Sequence, residues 1–359
     1  MTSKPMHVGL VGLGPHGTNH ADILQSMGHR ISSAGADTEY CERFEQRFDG
    51  PTYNAPDELY EQDLDAVIVS TPNKFHEAVA VDALRAGFDV LIEKPLAHNA
   101  DSAERIASAA RETDNLCTTG YSNRFVNGFR VLRKYAETGY FGDIVHVNAS
   151  HVRRRGVPGR GSWYTSADIA GGGALIDIGA SLFSLLLPLV EWATLEEVDA
   201  ITRSEFGDRT DYSYLQMWGE DADGGVYDVE DSVETFCRFD GGVSASVEVA
   251  WAANAESRHV YELQGTDAGG RLTMPNRYED SRNGKSGVEL ELFETRSKAV
   301  DHFVDSTVTV PANDPYRDEL DAFLSVVERG ERPEVNDIDE ALQVQHVLDR
   351  VYEASSRLA

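Results

Sequence analysis

The residue best placed to do chemistry is Lys94, in the motif Glu93-Lys94-Pro95 that follows the apolar run 90–92. Such a continuous apolar run is typical of a parallel strand buried on both faces. Ligands of open parallel sheets bind at the carboxyl ends of the strands. The sequence therefore predicts that Lys94 lies at a binding site. The alternative is a structural lysine that forms a salt bridge with Glu93.

A glycine pattern near the amino terminus predicts a dinucleotide site. Gly12-x-Gly14-x-x-Gly17 follows the apolar residues 7–11 and opens a predicted helix. In that context the first glycine permits a tight turn, the second lets a pyrophosphate approach the backbone, and the third lets helix and strand pack closely. The amino terminus of the helix then presents N–H groups to the phosphates. The residues between the glycines are expected to line the same loop; they are Leu13, Pro15 and His16.

Asp37 bears on the choice of cofactor, because it ends the second predicted strand, 31–36. A carboxylate there accepts both ribose hydroxyls and repels a 2′-phosphate. No arginine follows immediately, although Arg43 lies one helical turn further on. The sequence therefore favours NAD over NADP.

A second loop is expected on the nicotinamide side of the cofactor. Thr71, Pro72 and Asn73 interrupt the apolar run 64–69, and His76 begins the predicted helix that follows. A loop at the end of the fourth strand reaches the same edge of the sheet as Lys94. The alternative for His76 is a solvated residue at the start of a helix.

The elements that position these residues predict an α/β fold with two domains. Strands and helices alternate through residues 1–123, which indicates a doubly wound parallel sheet, the Rossmann arrangement. The pattern then changes: strands are predicted over 144–152, 233–239, 243–251, 260–264 and 270–274, and helices over 174–190, 315–329 and 337–356. Residues 124–359 should therefore form an α+β domain with a mainly antiparallel sheet.

The composition argues against several classes of partner. The net charge is −29, which makes nucleic acid an unlikely ligand because phosphate binding needs a basic surface. The longest apolar run, 182–190, is too short to span a bilayer, and no segment resembles a signal peptide. Three scattered cysteines have no metal-ligand spacing, so we expect no metal site and a reduced, cytoplasmic setting. Only six of the 32 basic residues are lysines, and such an acidic, lysine-poor surface is typical of a protein from a high-salt organism.

Taken together, these motifs resemble the Gfo/Idh/MocA family of glucose–fructose oxidoreductases, inositol dehydrogenases and rhizopine-catabolism proteins. Further motifs that carry the resemblance are Gly120-Tyr121 with Arg124, the glycine-rich segment 171–179 and the Val-Glu-Asp triplet 229–231. The resemblance implies a C-terminal domain with a large open sheet that often joins subunits, here into a homodimer or homotetramer. It also implies that a hydroxyl of a sugar, sugar derivative or cyclitol is oxidised with NAD(P).

Particular residues acquire roles through this resemblance. It implies that Lys94 contacts the reacting hydroxyl, that the Lys94–Pro95 bond is cis, and that Asp177 orients the substrate. The family usually carries a histidine general base four residues after that aspartate, and Ser181 stands there instead. Ser184 likewise replaces a common aspartate. Because a serine cannot accept a proton at pH 7, and a positioned base contributes roughly 10²–10⁴ in rate, this departure affects the mechanism.

Three interpretations of Ser181 remain open. In the first, Lys94 transfers the proton itself, since partial burial beside the positive nicotinamide ring lets an ammonium lose its proton more easily. In the second, His151, at the end of a predicted strand, takes over as the base. In the third, the protein is a non-catalytic sensor or regulator that binds the cofactor, or an NAD-dependent lyase or glycosidase. We favour the first interpretation.

A cationic, aromatic segment, residues 153–165, precedes the glycine-rich helix and is expected to line the substrate site. It contains Arg153 and Trp163; arginines hold hydroxyls or carboxylates by forked hydrogen bonds, and aromatic faces stack on sugar rings. The alternative is a solvated loop whose arginines pair with the acidic surface. Arg124 is expected either at the substrate or in a salt bridge between the domains.

Overall fold

The computed structural model describes residues 4–356 except 208, 210, 212–220, 223, 276–286 and 299. The chain divides into two compact units. The first comprises Met1–Phe125 and Asp314–His346, and the second comprises Val126–Asn313 and Val347–Ala359.

This division differs from the domain boundaries expected from the sequence. The first boundary, after Phe125, lies close to the predicted one at 123. Residues 314–346, however, belong to the first unit and not to the C-terminal domain. The physical reason is apolar packing: Leu320, Phe323 and Leu324 are buried in one core cluster with Leu24 and other residues of the first unit. An amphipathic helix shows in sequence that it must be buried, but not which core it joins.

Six parallel strands form the sheet of the first unit, in the order β3-β2-β1-β4-β5-β6. They are β1 (His7–Val11), β2 (Arg30–Ala34), β3 (Thr52–Tyr53), β4 (Ala66–Val69), β5 (Asp89–Glu93) and β6 (Cys117–Gly120). Every residue of β4 is buried, as expected for a strand covered on both faces. The predicted Rossmann sheet is confirmed.

Helices connect these strands. They are α1 (Pro15–Met27), α2 (Thr38–Arg47), α3 (Pro56–Tyr60), α4 (His76–Arg85) and α5 (Ala100–Thr113). Two further helices lie near the carboxyl terminus of the chain, Pro315–Arg329 and Ile338–Ser356. The second of these continues past His346, the last residue of the first unit.

The register of this sheet brings the predicted cofactor and lysine motifs to one edge. Val11 of β1 pairs with Val69 of β4, and Val69 pairs with Ile92 of β5. The residues that follow these three strands therefore leave the same edge of the sheet side by side. Gly12 and Lys94 are among them.

The second unit contains an eight-stranded sheet in the order β14-β13-β12-β11-β7-β10-β9-β8. Its strands are β7 (Ile144–Val152), β8 (Leu195–Arg203), β9 (Ser232–Phe239), β10 (Ser244–Ala250), β11 (Arg258–Gly265), β12 (Ala268–Thr273), β13 (Glu289–Arg296) and β14 (His302–Val308). All described pairs are antiparallel except β7 with β10. This confirms the mainly antiparallel sheet. The predicted β9–β10 hairpin is also present, with Gly241 and Gly242 at φ +73° and +88° in its turn.

Helices of the second unit are α6 (Asn127–Glu137), α7 (Ala167–Ala170) and α8 (Ala180–Leu189), with the π-helical turn Leu175–Gly179 directly before α8. Among the described residues, the stretch Ala167–Leu189 alone is long and apolar enough to cross a membrane by length and composition. Its most apolar window is 89% buried inside the structure, as in a core helix, so this is weak evidence for a span.

Candidate functional site

The glycine loop between β1 and α1 has the shape of a phosphate cradle. Gly12 has a φ of +98°, and a Cβ there would lie 2.6 Å from the carbonyl oxygen of Ser70. A Cβ on Gly17 would lie 2.0 Å from the carbonyl oxygen of Gly12, whereas nothing lies within 4 Å of the corresponding point on Gly14. Gly14 is the N-cap of α1 and provides no side-chain cap for its N–H groups. The loop therefore fits a pyrophosphate at the amino terminus of the helix.

The side chains between the glycines have different environments. Leu13 is buried with 5% of its surface exposed, so it contributes to the apolar core. Pro15 occupies the first helical position, which suits its missing N–H. His16 is partly exposed, and its Nδ1 lies 3.8 Å from Oε1 of Glu93. Leu13 can therefore contact a ligand only through its backbone, because its side chain is buried.

Asp37 stands after β2 and caps α2, as its position in the sequence suggests. Its Oδ1 accepts N–H groups from Glu39 at 2.9 Å and from Tyr40 at 3.2 Å. Arg43 forms an ion pair with Glu39 one helical turn away. Arg43 therefore already has a carboxylate partner on its own helix.

His76 is a buried connector between two loops of the site. Its ring is 1% exposed, its Nε2 lies 2.8 Å from the carbonyl oxygen of Thr71, and its Nδ1 lies 3.0 Å from that of Pro95. Burial lowers the pKa of His76, and a neutral imidazole donates from only one nitrogen at a time. The ring therefore contacts two backbone carbonyl groups. These contacts hold the loop that begins with Thr71, Pro72 and Asn73 beside Pro95.

The Glu93 carboxylate is the electrostatic centre behind Lys94. Its Oε1 lies 2.7 Å from Nε2 of the fully buried His20, and its Oε2 accepts the backbone N–H of Lys94 at 3.1 Å. Burial raises the pKa of Glu93, but the neighbouring His16, His20 and Lys94 outweigh it and hold the pKa at about 2. Glu93 is therefore ionised at neutral pH. The Lys94–Pro95 bond is cis, which confirms that prediction.

A second buried carboxyl group stands behind the first. Glu319, on the helix Pro315–Arg329, is 2% exposed, and its Oε1 accepts an amide N–H of Asn336 at 3.4 Å. Burial and the negative charge of Glu93 raise the pKa of Glu319 well above its usual value. Neither His20 nor Glu319 was found from the sequence; the only signal was a histidine one helical turn after Gly17.

Arg124 has a structural role inside the first unit, which corrects the expected substrate or interdomain contact. The residue is 2% exposed, forms a forked ion pair with Glu340, and donates to the amide oxygen of Asn336 at 3.1 Å. A buried guanidinium committed to a carboxylate in this way is not available to a substrate.

In the second unit, Asp177 lies in the π-helical turn Leu175–Gly179 and is partly exposed. Its Oδ2 accepts the indole N–H of Trp251 at 2.8 Å, and Trp251 is fully buried. Single π-helical turns within helices frequently occur at functional sites. Trp251 therefore orients the predicted substrate-binding carboxylate, a role that the sequence did not reveal.

The start of this helix is held by Glu230, the central residue of the 229–231 triplet. Its carboxylate accepts N–H groups from Gly173 and Leu175, each at 2.9 Å, and the hydroxyl of Tyr352 at 2.9 Å. A Cβ on Gly172 would lie 2.0 Å from the Tyr352 hydroxyl, and one on Gly173 would lie 1.9 Å from the Glu230 carbonyl oxygen. The glycines are therefore required by close packing around the Glu230–Tyr352 pair.

The two serines in place of the usual histidine and aspartate differ in accessibility. Ser181 is partly exposed on α8. Ser184 is fully buried, and its hydroxyl donates to the carbonyl oxygen of Ser181 at 2.7 Å. Ser181 alone of the two is accessible to a ligand.

His151 forms part of a stacked pair on the buried face of the sheet. Its ring lies 4.0 Å from that of His259, with an interplanar angle of 8°. Nε2 of His259 lies 3.1 Å from the hydroxyl of Tyr261. His151 is 8% exposed and pairs in register with Val249, two residues before Trp251. The strand therefore brings His151 to the end of the sheet that carries Trp251.

The cationic segment after β7 is ordered around glycine residues. Arg153 is partly buried, and Trp163 is partly exposed with its ring stacked on Tyr164 at 3.8 Å. Arg160 forms an ion pair with Asp221 at 2.8 Å. Arg160 thus pairs with a carboxylate, as the alternative interpretation expects of the arginines in this segment.

Comparison with known proteins agrees with this geometry. The model of an oxidoreductase family with an NAD-binding Rossmann fold matches residues 6–121, and that of a GFO/IDH/MocA C-terminal domain matches residues 129–270. The chain is 30% identical over 296 residues to dTDP-3,4-didehydro-2,6-dideoxy-alpha-D-glucose 3-reductase of Actinomadura kijaniata, covering 82% of this chain and 78% of that protein. It is 28% identical over 298 residues to D-glucoside 3-dehydrogenase of Escherichia coli K12, covering 79% and 82%.

The fold is shared with solved structures as well. A levoglucosan dehydrogenase in complex with NADH and levoglucosan has a TM-score of 0.80 at 21% identity, over 99% of this chain and 98% of that chain. Its likeness shows the same fold. On the strength of the family models and the Actinomadura relative, the chain belongs to the GFO/IDH/MocA family of oxidoreductases and has an NAD-binding Rossmann domain.

Proposed function

We propose that this protein is an NAD-dependent dehydrogenase that oxidises a hydroxyl group of a sugar, sugar derivative or cyclitol. The observation that carries the proposal is the position of Lys94. It directly follows β5 at the sheet edge that also carries the glycine cradle, and its backbone N–H is held by the ionised Glu93. The sugar substrates named for the Escherichia coli and Actinomadura relatives support this substrate class.

The first unit supplies the cofactor site. Gly12, Gly14 and Gly17 form the phosphate cradle, Asp37 stands at the ribose position, and the loop that begins at Thr71 borders Pro95 through His76. When bound, NAD supplies the hydride acceptor for the substrate carbon. We favour NAD over NADP because Asp37 would repel a 2′-phosphate and Arg43 is paired with Glu39.

The residues of this chain handle the proton. Oxidation of an alcohol releases one proton together with the hydride, so a base must accept it. Lys94 takes this role in the proposal, and its Nζ accepts the hydroxyl proton. Asp177, oriented by Trp251, accepts a hydrogen bond from a substrate hydroxyl and positions the substrate. Ser181 hydrogen-bonds the reacting hydroxyl or relays its proton.

His151 is retained as a second candidate for the base. Its position at the end of β7, level with Val249, supports this choice. Stacking on His259 restrains the ring. Separate Lys94→Met and His151→Phe variants distinguish the two bases.

The test is a turnover assay. Purified protein in multimolar KCl is mixed with NAD or NADP and a panel of sugars, cyclitols and anhydro-sugars, and reduced nicotinamide is followed by absorbance. We expect NAD reduction with a subset of the panel, loss of turnover in Lys94→Met, and NAD binding close to wild type. Lys134→Met, at an exposed lysine paired with Glu137, is the matched control. NAD binding without any turnover would contradict the dehydrogenase and favour a sensor or a lyase.

The open face of the eight-stranded sheet supports a homodimer or homotetramer. It exposes large apolar side chains, including Ile201 and Phe236 with 48% of their surfaces accessible, beside ion pairs such as Arg271 with Glu262. Light scattering should show an oligomer that Phe236→Asp dissociates. A monomeric wild type would contradict this assembly.

The setting in the cell is part of the proposal. The three cysteines are buried and free, which suits a reduced cytoplasm. The net charge of −29 supports a high-salt source. We therefore expect the midpoint of thermal unfolding to rise as KCl is increased from 0.1 M to multimolar, because salt screens the repulsion between carboxylates. A midpoint that falls with salt would contradict the high-salt origin.

A further inference from the structure

We propose that the substrate of this enzyme carries an anionic group, a carboxylate or a phosphate, and that Arg153 binds it. This inference rests on the proposed dehydrogenase function and narrows its substrate class. It starts from the position of Arg153 at the carboxyl end of β7. The N–H of Arg153 donates to the carbonyl oxygen of Ala250 at 2.8 Å, so the parallel pairing of β7 with β10 continues beyond Val152.

This pairing places Arg153 beside the residue that orients Asp177. Side chains alternate between the faces of a strand, so Arg153 lies on the same face as the buried His151. Trp251 lies on the same face as Val249, the register partner of His151. Arg153 therefore stands beside Trp251, and Trp251 donates its indole N–H to Asp177 at 2.8 Å within the same unit of the protein.

The side chain of Arg153 is held in place on its aliphatic side. A Cβ on Gly156 would lie 2.8 Å from Cδ and 3.2 Å from Cβ of Arg153, so the missing side chain of Gly156 makes room for the arginine. Gly156 itself is fixed by its N–H, which donates to the carbonyl oxygen of Trp251 at 2.7 Å. The arginine is therefore part of a packed turn and not a freely solvated side chain.

The guanidinium group of Arg153, by contrast, makes few hydrogen bonds. Nε is buried and lacks a hydrogen-bond partner among the described residues. Nη1 makes a long contact of 3.4 Å with the carbonyl oxygen of Gly156. Within the described part of the chain, no carboxylate forms an ion pair with this guanidinium.

This isolation is unusual in a chain with a net charge of −29. Other arginines of the second unit pair with acidic residues, as Arg160 does with Asp221 and Arg203 with Glu234. A partly buried guanidinium without a counter-charge is costly, and buried donors normally find a partner. The forked donors of arginine match carboxylate and phosphate oxygens in particular. The geometry therefore favours an anion that arrives with the substrate.

The stacked Trp163 and Tyr164 fit the same substrate. They precede the glycine-rich helix in the same unit and present an aromatic face suited to a sugar ring. An anionic sugar thus finds three kinds of partner in the second unit: a carboxylate for hydroxyls, an aromatic face for the ring and a cation for the acid group. A neutral sugar would leave the cation without a partner.

The experiment compares substrates that differ only in charge. Initial rates with NAD are measured for uronic acids and for their methyl esters, which keep the shape and lose the charge. Sugar phosphates and nucleoside diphosphate sugars form a second arm that distinguishes a carboxylate from a phosphate. KCl is kept at the lowest concentration at which the protein remains folded, because chloride competes and salt screens charge.

We expect kcat/KM to be at least 10-fold higher for the anion than for its neutral counterpart in one arm. Arg153→Met should lower kcat/KM for the anion about 10- to 100-fold, the usual effect of losing a charged hydrogen bond. The value for the neutral counterpart should change by less than about threefold on the same argument. Arg153→Lys keeps the charge and loses the forked donors, so its kcat/KM for the anion should lie between those of wild type and Arg153→Met. Arg329→Met, at an exposed arginine paired with Glu331, is the control.

Equal losses for charged and neutral substrates, or a preference for the methyl esters, would overturn the proposal. Equal losses together with dissociation of the oligomer would assign Arg153 to a contact between subunits. If no sugar is oxidised, the proposed dehydrogenase function is contradicted. The role of Arg153 is then tested separately, by calorimetry of uronate and methyl ester binding in the presence of NADH. Charge-selective binding that disappears in Arg153→Met would support the anion site even then; binding without charge selectivity would overturn it.

Discussion

Nε2 of His20 lies 2.7 Å from Oε1 of Glu93, and the other oxygen of that carboxylate accepts the backbone N–H of Lys94 at 3.1 Å. His20 belongs to α1, the helix whose amino terminus forms the glycine cradle. One buried carboxylate therefore ties the cofactor loop to the strand end that carries the lysine. Because the link is buried, its geometry is protected from competition with water.

Replacing His20 should destabilise the protein by leaving Glu93 buried and unpaired. We expect His20→Leu to lower the free energy of unfolding by roughly 3 kcal/mol, the usual cost of leaving a buried charged group without its hydrogen-bond partner. His20→Gln, which can still donate a hydrogen bond, should lose about 1 kcal/mol. Urea unfolding measures both. His302→Leu, at an exposed histidine, is the control, and a loss equal to that of His20→Leu would contradict the proposed link.

Acid should remove the contribution of Glu93. Its pKa is held at about 2 in the folded protein, below the ordinary value of about 4.3 for a free glutamate. A carboxyl group with a lowered pKa stabilises the fold above its unfolded pKa, and this contribution is lost as the pH falls from about 4.5 towards 2. We expect the free energy of unfolding of wild type to fall more steeply in this window than that of His20→Leu. Parallel curves would contradict the low pKa.

Trp251→Phe should impair catalysis more than cofactor binding. The change removes the indole N–H that orients Asp177 and keeps most of the buried aromatic ring. We expect kcat to fall about 10-fold, in line with the loss of one charged hydrogen bond. The Kd of NAD, measured by calorimetry, should stay the same. An unchanged kcat would show that Asp177 does not depend on Trp251.

Tyr352→Phe should loosen the start of the glycine-rich helix. The hydroxyl donates to Glu230 at 2.9 Å and accepts the N–H of Ile176 at 3.2 Å. Removal leaves a buried N–H and a carboxylate oxygen short of a partner, so we expect a loss of about 1–3 kcal/mol in the free energy of unfolding. Tyr40→Phe, at a tyrosine 44% exposed, should cost less than about 0.5 kcal/mol. Equal effects in the two variants would contradict the buried role of Tyr352.

Ser181→His tests whether the proton path tolerates the usual base. If the accessible face of α8 keeps the geometry typical of the family, turnover should be preserved or raised, by up to about 10²-fold for a well-placed base. The pH dependence of kcat/KM should then show an additional group that titrates near 6.5, the ordinary pKa of a histidine. A collapse of NAD binding would show that a histidine does not fit the turn.

Local patterns were sufficient to predict the parallel sheet and its cofactor loop. Continuous apolar runs in β4 and β5, glycines with a fixed spacing and Asp37 after β2 each act through neighbours in the chain, so their meaning survives without tertiary information. The β9–β10 hairpin was also predictable, because alternation and a Gly-Gly turn are local. Strands β8, β13 and β14 were missed, since their many charged and polar residues hide the alternation.

The sequence by itself determined which residues would stand at the sheet edge: the glycine triplet, Asp37 and Lys94. Tertiary structure alone decided which side chains from distant parts of the sequence would contact the residues of the site. His20 and Glu319 reach Glu93 through α1 and a helix from the end of the chain, and Trp251 reaches Asp177 from β10. It also placed Arg124 in a buried ion pair and, as far as the described residues go, left Arg153 without one. Hydrogen bonds and charge interactions act over a few ångströms in space, whatever the separation along the chain, so spacing in sequence cannot reveal them.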